Sequence, residues 1–299
     1  MSLRRALHRL RHEDARAALL LAPYAIGVVV LVVIPAAITF GLSLFRYDLL
    51  TAPTLVAFEN FGDLVGDPIF HRALTNSLLF VAIAVPLRLL GALGLALLLH
   101  RSFRGAGGAR TAVYLPTVVP DIAYALLWLF ILNPLYGPMN VTLRAIGLPD
   151  PSWFTTATGA MAAVILMSCF TIGEGFIVAL ATRQELPEEL YEIAALEGSG
   201  PLDTFRRVTL PLMGPTLALL AFRDTAFSLQ ATFVPALILT NGGPDRATTF
   251  LPLLIYDNAF ENLRYGYAAA MTVTMFLITA LIVFVQYRIV RRWQFGFGR

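Results

Sequence analysis

Six apolar runs, at about 19–45, 74–99, 109–133, 159–182, 212–239 and 267–290, set the terms for this chain of 299 residues. Each is long enough to cross a hydrocarbon core of about 30 Å at a helical rise of about 1.5 Å per residue. The composition agrees: 58% of residues are hydrophobic, 14% are charged and the mean hydropathy is +0.72, whereas a soluble domain carries charge on about a quarter of its residues. The expected fold class is an all-α membrane protein with six transmembrane helices.

Residues 1–18 hold Arg4, Arg5, Arg9, Arg11 and Arg16, with Leu3, Leu7 and Leu10 at helical spacing, and predict a basic amphipathic segment on the membrane surface. The basic start followed by an apolar run imitates a signal peptide, but the run is far longer than a signal core and predicts an uncleaved first span. Six spans place both termini on one side. That side receives fifteen arginines, from the N-terminus, the 100–110 loop, the stretch between the fourth and fifth spans, and the tail. The opposite side receives five, Arg46, Arg72, Arg144, Arg246 and Arg264. The excess marks the cytoplasmic side, so both termini are expected in the cytoplasm of a cell with this protein in its inner membrane. The domain reading is therefore a basic segment at 1–18, a six-span body at 19–292 containing a cytoplasmic loop at 183–211, and a tail at 293–299.

The sequence pI of about 9.2 would suit nucleic acid, but the basic residues flank apolar spans, where they attract anionic lipid and set orientation. The expected surroundings are a lipid bilayer, with no nucleic acid. Cys169 is the single cysteine, so no internal disulfide or Cys/His zinc spacing can form. His8 and His12 are four apart without a nearby third ligand and are assigned to a solvated face. No metal site is expected.

The longest charged stretch, 186–211, interrupts the apolar pattern between the fourth and fifth runs. Pro187 suits the start of a helix, and Glu188 and Glu189 sit where the helix dipole favours negative charge. That helix is expected to continue through Tyr191, Glu192, Ala194, Ala195 and Leu196 until Gly198, Gly200 and Pro201 stop it. A second short helix is predicted over about 202–209, with Arg206 and Arg207 near its negative end. An amphipathic connector between two membrane helices would have this form.

The pattern Glu192-Ile193-Ala194, then Gly198, then Val208-Thr209-Leu210-Pro211 resembles the "EAA" loop of permease subunits of binding-protein-dependent ABC importers, especially the carbohydrate-uptake branch. Ile193 departs from the alanine usual there, with the spacing kept. Asn76-Ser77-Leu78, Tyr114-Leu115-Pro116, the stretch from Trp128 to Asn133-Pro134, and Leu239-Thr240-Asn241-Gly242-Gly243-Pro244 are further points of similarity. The resemblance implies a permease fold whose cytoplasmic coupling helix docks on an ATPase subunit. Glu188, Glu189, Tyr191, Glu192, Ala194, Ala195 and Gly198 are then the coupling candidates. It also implies a second permease subunit, an ATP-binding subunit dimer, an extracytoplasmic solute-binding protein and a sugar or oligosaccharide as cargo.

A path for a polar solute needs polar groups in an apolar wall, and an ionisable group within a span is costly unless paired or wet. Arg88, Asp121, Glu174, Arg223 and Asp224 are such groups. Asp224, Ser228 and Thr232 recur every four residues, with Arg223 and Gln230 on an adjoining face. Glu174, Asp224, Ser228 and Gln230 are the expected substrate-pathway residues, with Tyr124 or Trp128 covering the C–H face of a sugar. The competing possibility is that the arginines pair with these carboxylates between helices. If Asp224 serves the path, Asp224→Ala abolishes uptake and spares assembly. Arg223 would suit an anionic cargo such as a glycerophosphate ester, and Asp224 with Glu174 a polyamine.

No catalytic constellation is present in the sequence: a Gly-x4-Gly-Lys phosphate loop is impossible without lysine, and His-Glu-x-x-His and Gly-x-Ser-x-Gly are missing. The chain is expected to be a transport subunit, not an enzyme, with no cofactor of its own and Mg-ATP on partner subunits. An ATP-independent secondary carrier is the alternative of a different class, but it has no evident use for the helix-turn-helix at 186–211.

Overall fold

The structure is a computed structural model that describes residues 19–294, with side chains to residue 291. The expected surface segment at 1–18 and the end of the tail lie outside the described residues. Two compact bodies divide the chain.

The first body comprises 19–64 and 258–274. It opens with α1 (Leu19–Leu42), a 24-residue helix with none of its apolar window buried, as suits a helix ringed by lipid. A two-strand hairpin follows, β1 (Phe45–Arg46) against β2 (Thr54–Leu55), antiparallel with Phe45 opposite Leu55. Asp48 shapes the hairpin's loop by accepting from the backbone N–H groups of Leu50 and Thr51 and from the Thr51 hydroxyl. The hydrogen bonds from Thr51 hold its carboxyl below the usual range. From α2 (Glu59–Gly66), Asn60 donates to the carbonyls of Ser43 and Phe45 at 2.8 and 3.0 Å, which pins the chain leaving α1. Gly266 has no side chain because a Cβ there would run into the Phe45 carbonyl oxygen.

The second body comprises 65–257 and the chain from 275 onward. Its centre is α3 (Pro68–Leu99), 32 residues and about 48 Å long, which exceeds the hydrocarbon thickness. Asp67 caps its start by accepting from the Ile69 N–H at 2.8 Å. Then come α4 (Ala106–Tyr114), α5 (Asp121–Ile131), α6 (Pro138–Ala145), α7 (Ala157–Cys169) and α8 (Gly173–Glu185). The short α9 (Glu188–Leu196) and α10 (Pro201–Thr204) lead into α11 (Leu210–Gln230), and α12 (Phe233–Pro235), α13 (Leu251–Tyr256) and α14 (Tyr265–Gln294) complete the chain. α14 begins in the first body and ends in the second.

Apolar side chains on two stretches of α3 build the core. Phe80, Val81, Ala84 and Val85 pack with Met161, Val164, Leu229 and Phe250, and the Phe80 and Phe250 rings meet edge-on at 5.5 Å. Further along, Ala92, Leu93, Ala96 and Leu99 pack with Phe176, Ala179, Leu180, Met213 and Leu220. Alanines at four-residue spacing let α8 and α11 approach α3 closely, since an alanine side chain ends at Cβ.

Not every expected span is a single unbroken helix. Among the described residues three helices are long and apolar enough to cross a bilayer, Leu19–Leu42, Pro68–Leu99 and Tyr265–Arg291. The predicted third and fourth spans are broken. Ala106–Val118 and Asp121–Ile131 meet at 106°, and Ala157–Cys169 and Gly173–Glu185 at 43°. Pro120 explains the first break, because it disfavours helical backbone in the residue before it, and Val119 is extended at ψ +131°. The predicted fifth run falls on α11, 21 residues or about 32 Å long, but Arg223 and Asp224 interrupt its apolar character.

Candidate functional site

The two breaks lie beside one cavity. Of about 230 Å³, it is lined by Pro116, Thr117, Val119 and Asp121 at the first break and by Ser168, Thr171, Ile172 and Glu174 at the second. Arg88 from α3, Tyr124 from α5 and Arg223 with Asp224 from α11 complete its polar wall. Breaking a helix frees backbone groups and exposes a positive N-terminus, and both half-helices that start here carry a carboxylate in the first turn: Asp121 in α5 and Glu174 in α8. Gly173 sits where the breaks touch. A Cβ there would collide with the Thr117 hydroxyl and stand 2.9 Å from the Tyr114 Cα, so only glycine lets the two segments meet.

The charges sort into two pairs of different character. Arg88 grips Asp224 with both prongs of its guanidinium, Nε to Oδ2 at 3.1 Å and Nη2 to Oδ1 at 3.0 Å, and also donates to the Ser228 hydroxyl. Ser228 donates in turn to the Asp224 carbonyl at 2.5 Å and is fully buried. Arg223 pairs with Glu174, and both side chains of this pair are about half exposed, 52% and 50%. Asp121 makes no ion pair among the described residues.

Of the six expected pathway residues, the cavity gathers Glu174, Asp224 and Tyr124. The Tyr124 hydroxyl donates to the Met167 carbonyl at 3.0 Å, so its ring rather than its hydroxyl is left to the cavity. Ser228 lies behind the wall as a partner of Arg88. Trp128 is buried against Phe170 with ring centroids 5.1 Å apart, and Gln230 is exposed and donates to the Ala226 carbonyl of its own helix at 3.5 Å. Neither is among the lining residues. Three hydroxyl-bearing lining residues were not singled out in the sequence, Thr117, Ser168 and Thr171. The Thr117 hydroxyl oxygen is buried without a hydrogen-bond partner among the described residues. Its sequence signal is its place between Pro116 and Pro120. Among the described residues no group of three His, Cys, Asp or Glu side chains could hold a metal ion.

The helix-turn-helix between α8 and α11 is present. Pro187 stands one residue before α9, with Glu188 and Glu189 in the first turn. Gly198, at φ +76°, ends the helix: its N–H bonds the Ala195 carbonyl at 3.0 Å and the Ser199 N–H bonds the Ala194 carbonyl at 2.9 Å. The second helix starts at Pro201 and continues without interruption through 205–209 into α11. Of the seven coupling candidates, Glu188, Glu189, Glu192, Ala195 and Gly198 are exposed, whereas Ala194 is buried and Tyr191 is half-buried and turned inward. Ile193 and Leu196 are exposed beside the glutamates, 52% and 88%, giving that face an apolar ridge with an acidic rim.

Broken apolar helices around a polar cavity, with an exposed helix-turn-helix between the spans, define the class as a multi-span membrane transport protein. Residues 88–295 match the family described as the inner membrane component of binding-protein-dependent transport systems, and the chain belongs to that family. It is 30% identical over 289 residues to the probable ABC transporter permease protein YesP of Bacillus subtilis (strain 168), covering 95% of this chain and 93% of that protein. It is 32% identical over 278 residues to the sulfoquinovosyl glycerol transport system permease protein SmoG of Agrobacterium fabrum, covering 92% and 90%. Its fold is similar to that of a chain in the crystal structure of a bacterial ABC transporter involved in the import of the acidic polysaccharide alginate, with a TM-score of 0.81 at 24% identity over 96% of this chain and 99% of that one.

Proposed function

We propose that this permease carries a sugar or oligosaccharide inward across the cytoplasmic membrane, driven by ATP hydrolysed on partner subunits. The observation that carries the reading is the cavity at the two helix breaks, where carboxylates, threonine hydroxyls and the Tyr124 ring stand together as a polyol requires. Carboxylates and hydroxyls accept from and donate to sugar hydroxyls, and an aromatic face covers ring C–H groups. The charge balance favours an uncharged solute over a glycerophosphate ester. Both arginines are engaged by carboxylates, and Asp121 adds a further negative charge.

In this reading a second permease subunit, an ATP-binding subunit dimer holding Mg-ATP, and an extracytoplasmic solute-binding protein complete the machine. This chain holds no cofactor and no ATPase site. The arginine asymmetry supports cytoplasmic termini and a cytoplasmic α9. Glu188, Glu189, Glu192, Ala195 and Gly198 are the docking residues. Closure of the ATPase dimer draws on α9, turns the spans and opens the cavity outward to the loaded binding protein, and hydrolysis resets it inward.

The test is to tag this chain in its native membrane, purify it in mild detergent and identify what accompanies it while assaying ATP hydrolysis. A second permease, an ATPase and a solute-binding protein that retains a neutral sugar are expected. Recovery of the chain alone, without ATP hydrolysis, would support a secondary carrier instead.

A further inference from the structure

The inward face of α9 carries a link that docking on an ATPase does not require. The Tyr191 ring lies under the Arg183 guanidinium, 4.2 Å from Cζ to the ring centroid, and the Tyr191 hydroxyl meets the Thr209 hydroxyl at 3.1 Å. Arg183 stands in the last turn of α8, and Thr209 is the buried residue just before α11. One side chain of the short helix therefore bridges the ends of both neighbouring helices.

Those helices are themselves clasped as an antiparallel pair. The Thr182 hydroxyl donates to the Thr216 hydroxyl at 3.3 Å near the α9 end, and Glu174 pairs with Arg223 at the cavity. The steps from Thr182 back to Glu174 along α8 and from Thr216 forward to Arg223 along α11 differ by one residue, as two antiparallel helices of equal rise require. By contrast, the backbone joins α9 to its neighbours through Leu186-Pro187 on one side and Gly198-Ser199-Gly200 on the other. Both are non-helical, and the second contains two glycines.

We infer that Tyr191 is a positioning residue that locks α9 to α8 and α11, so that movement of the coupling helix is delivered to Glu174 and Arg223 at the cavity. Without it α9 can swing on its two junctions while the spans stay still. This inference rests on the coupling role proposed above for α9.

The experiment uses the co-purified complex in proteoliposomes, with Thr171→Cys in a Cys169→Ser chain as a reporter in the cavity wall. N-ethylmaleimide labelling of residue 171 is timed with and without ATP plus vanadate, and ATP hydrolysis is assayed in parallel. The parent's labelling rate is expected to respond to nucleotide. Tyr191→Ala should shrink that response about fivefold while the ATPase remains bound and hydrolysing, since it removes both the cation–π contact and the hydrogen bond. A full response in Tyr191→Ala overturns the inference and leaves the coupling reading standing. A parent complex without an ATPase, or without any nucleotide response, overturns the coupling reading and the inference with it. If Tyr191→Ala does not assemble, Tyr191→Phe and Thr209→Val are read in its place. Equal partial losses with no further loss in the double variant support the link, and unchanged or additive responses overturn it.

Discussion

Arg88, midway along α3, and Asp224, in α11, meet side by side in a two-pronged ion pair across 136 positions of sequence, with the arginine side chain only 10% exposed. Asp224 therefore has a partner before any cargo arrives. Removing either member leaves a charge desolvated and unpaired, at a cost of about 3–5 kcal/mol. Asp224→Ala is expected to lower the yield of folded, assembled chain, measured by size-exclusion of the detergent-solubilised complex. Arg88→Met combined with Asp224→Leu should recover assembly. Normal assembly of Asp224→Ala with loss of uptake would instead return Asp224 to the cargo path.

The pair between Glu174 and Arg223 should behave differently, because both side chains are about half exposed beside the cavity. Exposed pairs contribute only about 0–1 kcal/mol. Glu174→Gln is expected to leave the melting midpoint of the complex within a few degrees while it changes which solutes are carried. It removes one negative charge and frees Arg223, so competition by anionic sugars for uptake should strengthen. A large drop in thermal stability without a change in selectivity would make this pair structural too.

Much of this was legible in the residues, and the remainder fails for physical reasons. The apolar runs announced helices, and Pro187, Gly198 and Pro201 marked the short helices between α8 and α11 within a residue or two, because punctuation by proline and glycine acts locally. The Arg88–Asp224 partnership was present only as one of several possible pairings, since which helix faces which is decided by packing over the whole chain. Ser228 and Gln230 looked alike as polar residues in a span. One turned out to be fully buried behind the cavity and the other exposed, a difference set by the neighbours of α11 and not by its own sequence. The inward turn of Tyr191 had a local signal, its three-residue spacing from Ala194, but that spacing cannot say which face of α9 packs inward. The break at Val119–Pro120 was concealed by hydropathy, which stays high across a bend, whereas the glycines on either side of Glu174 did mark a place where the backbone can unwind or be approached closely.

Asn76 and Ser77 form a latch that ties the start of α3 to the segment before α13. Asn76 donates to the carbonyls of Arg246 and Thr249 at 2.8 and 3.1 Å, and the Ser77 hydroxyl accepts from the Leu251 N–H at 2.9 Å. Both side chains are buried, so truncation strands backbone groups away from water. Asn76→Ala is expected to cost about 1–3 kcal/mol, since the Thr249 carbonyl loses its donor whereas the Arg246 carbonyl keeps the Thr249 N–H at 3.3 Å. The check is a lower thermal unfolding midpoint for Asn76→Ala than for the wild type. Equal midpoints for the wild type and Asn76→Ala would show that the latch contributes nothing.

Gly198 separates backbone strain from contact with a partner. Its φ of +76° is disfavoured for any side chain, yet a Cβ built there meets nothing within 4 Å. Alanine there therefore suffers the backbone strain, about 1 kcal/mol, without a clash at Cβ. Tryptophan suffers the same strain and adds a bulky ring that probes the space beside Gly198. If the ATPase docks there, Gly198→Ala should retain most transport-coupled ATP hydrolysis, whereas Gly198→Trp should lose it by about tenfold or more, equivalent to about 1.4 kcal/mol of docking free energy. The measurement is ATP hydrolysis by the purified complex, with recovery of the ATPase subunit monitored at the same time. Unchanged coupled hydrolysis in Gly198→Trp would mean that the end of α9 lies clear of the ATPase, and the docking face would then have to be sought elsewhere on the same side of the membrane.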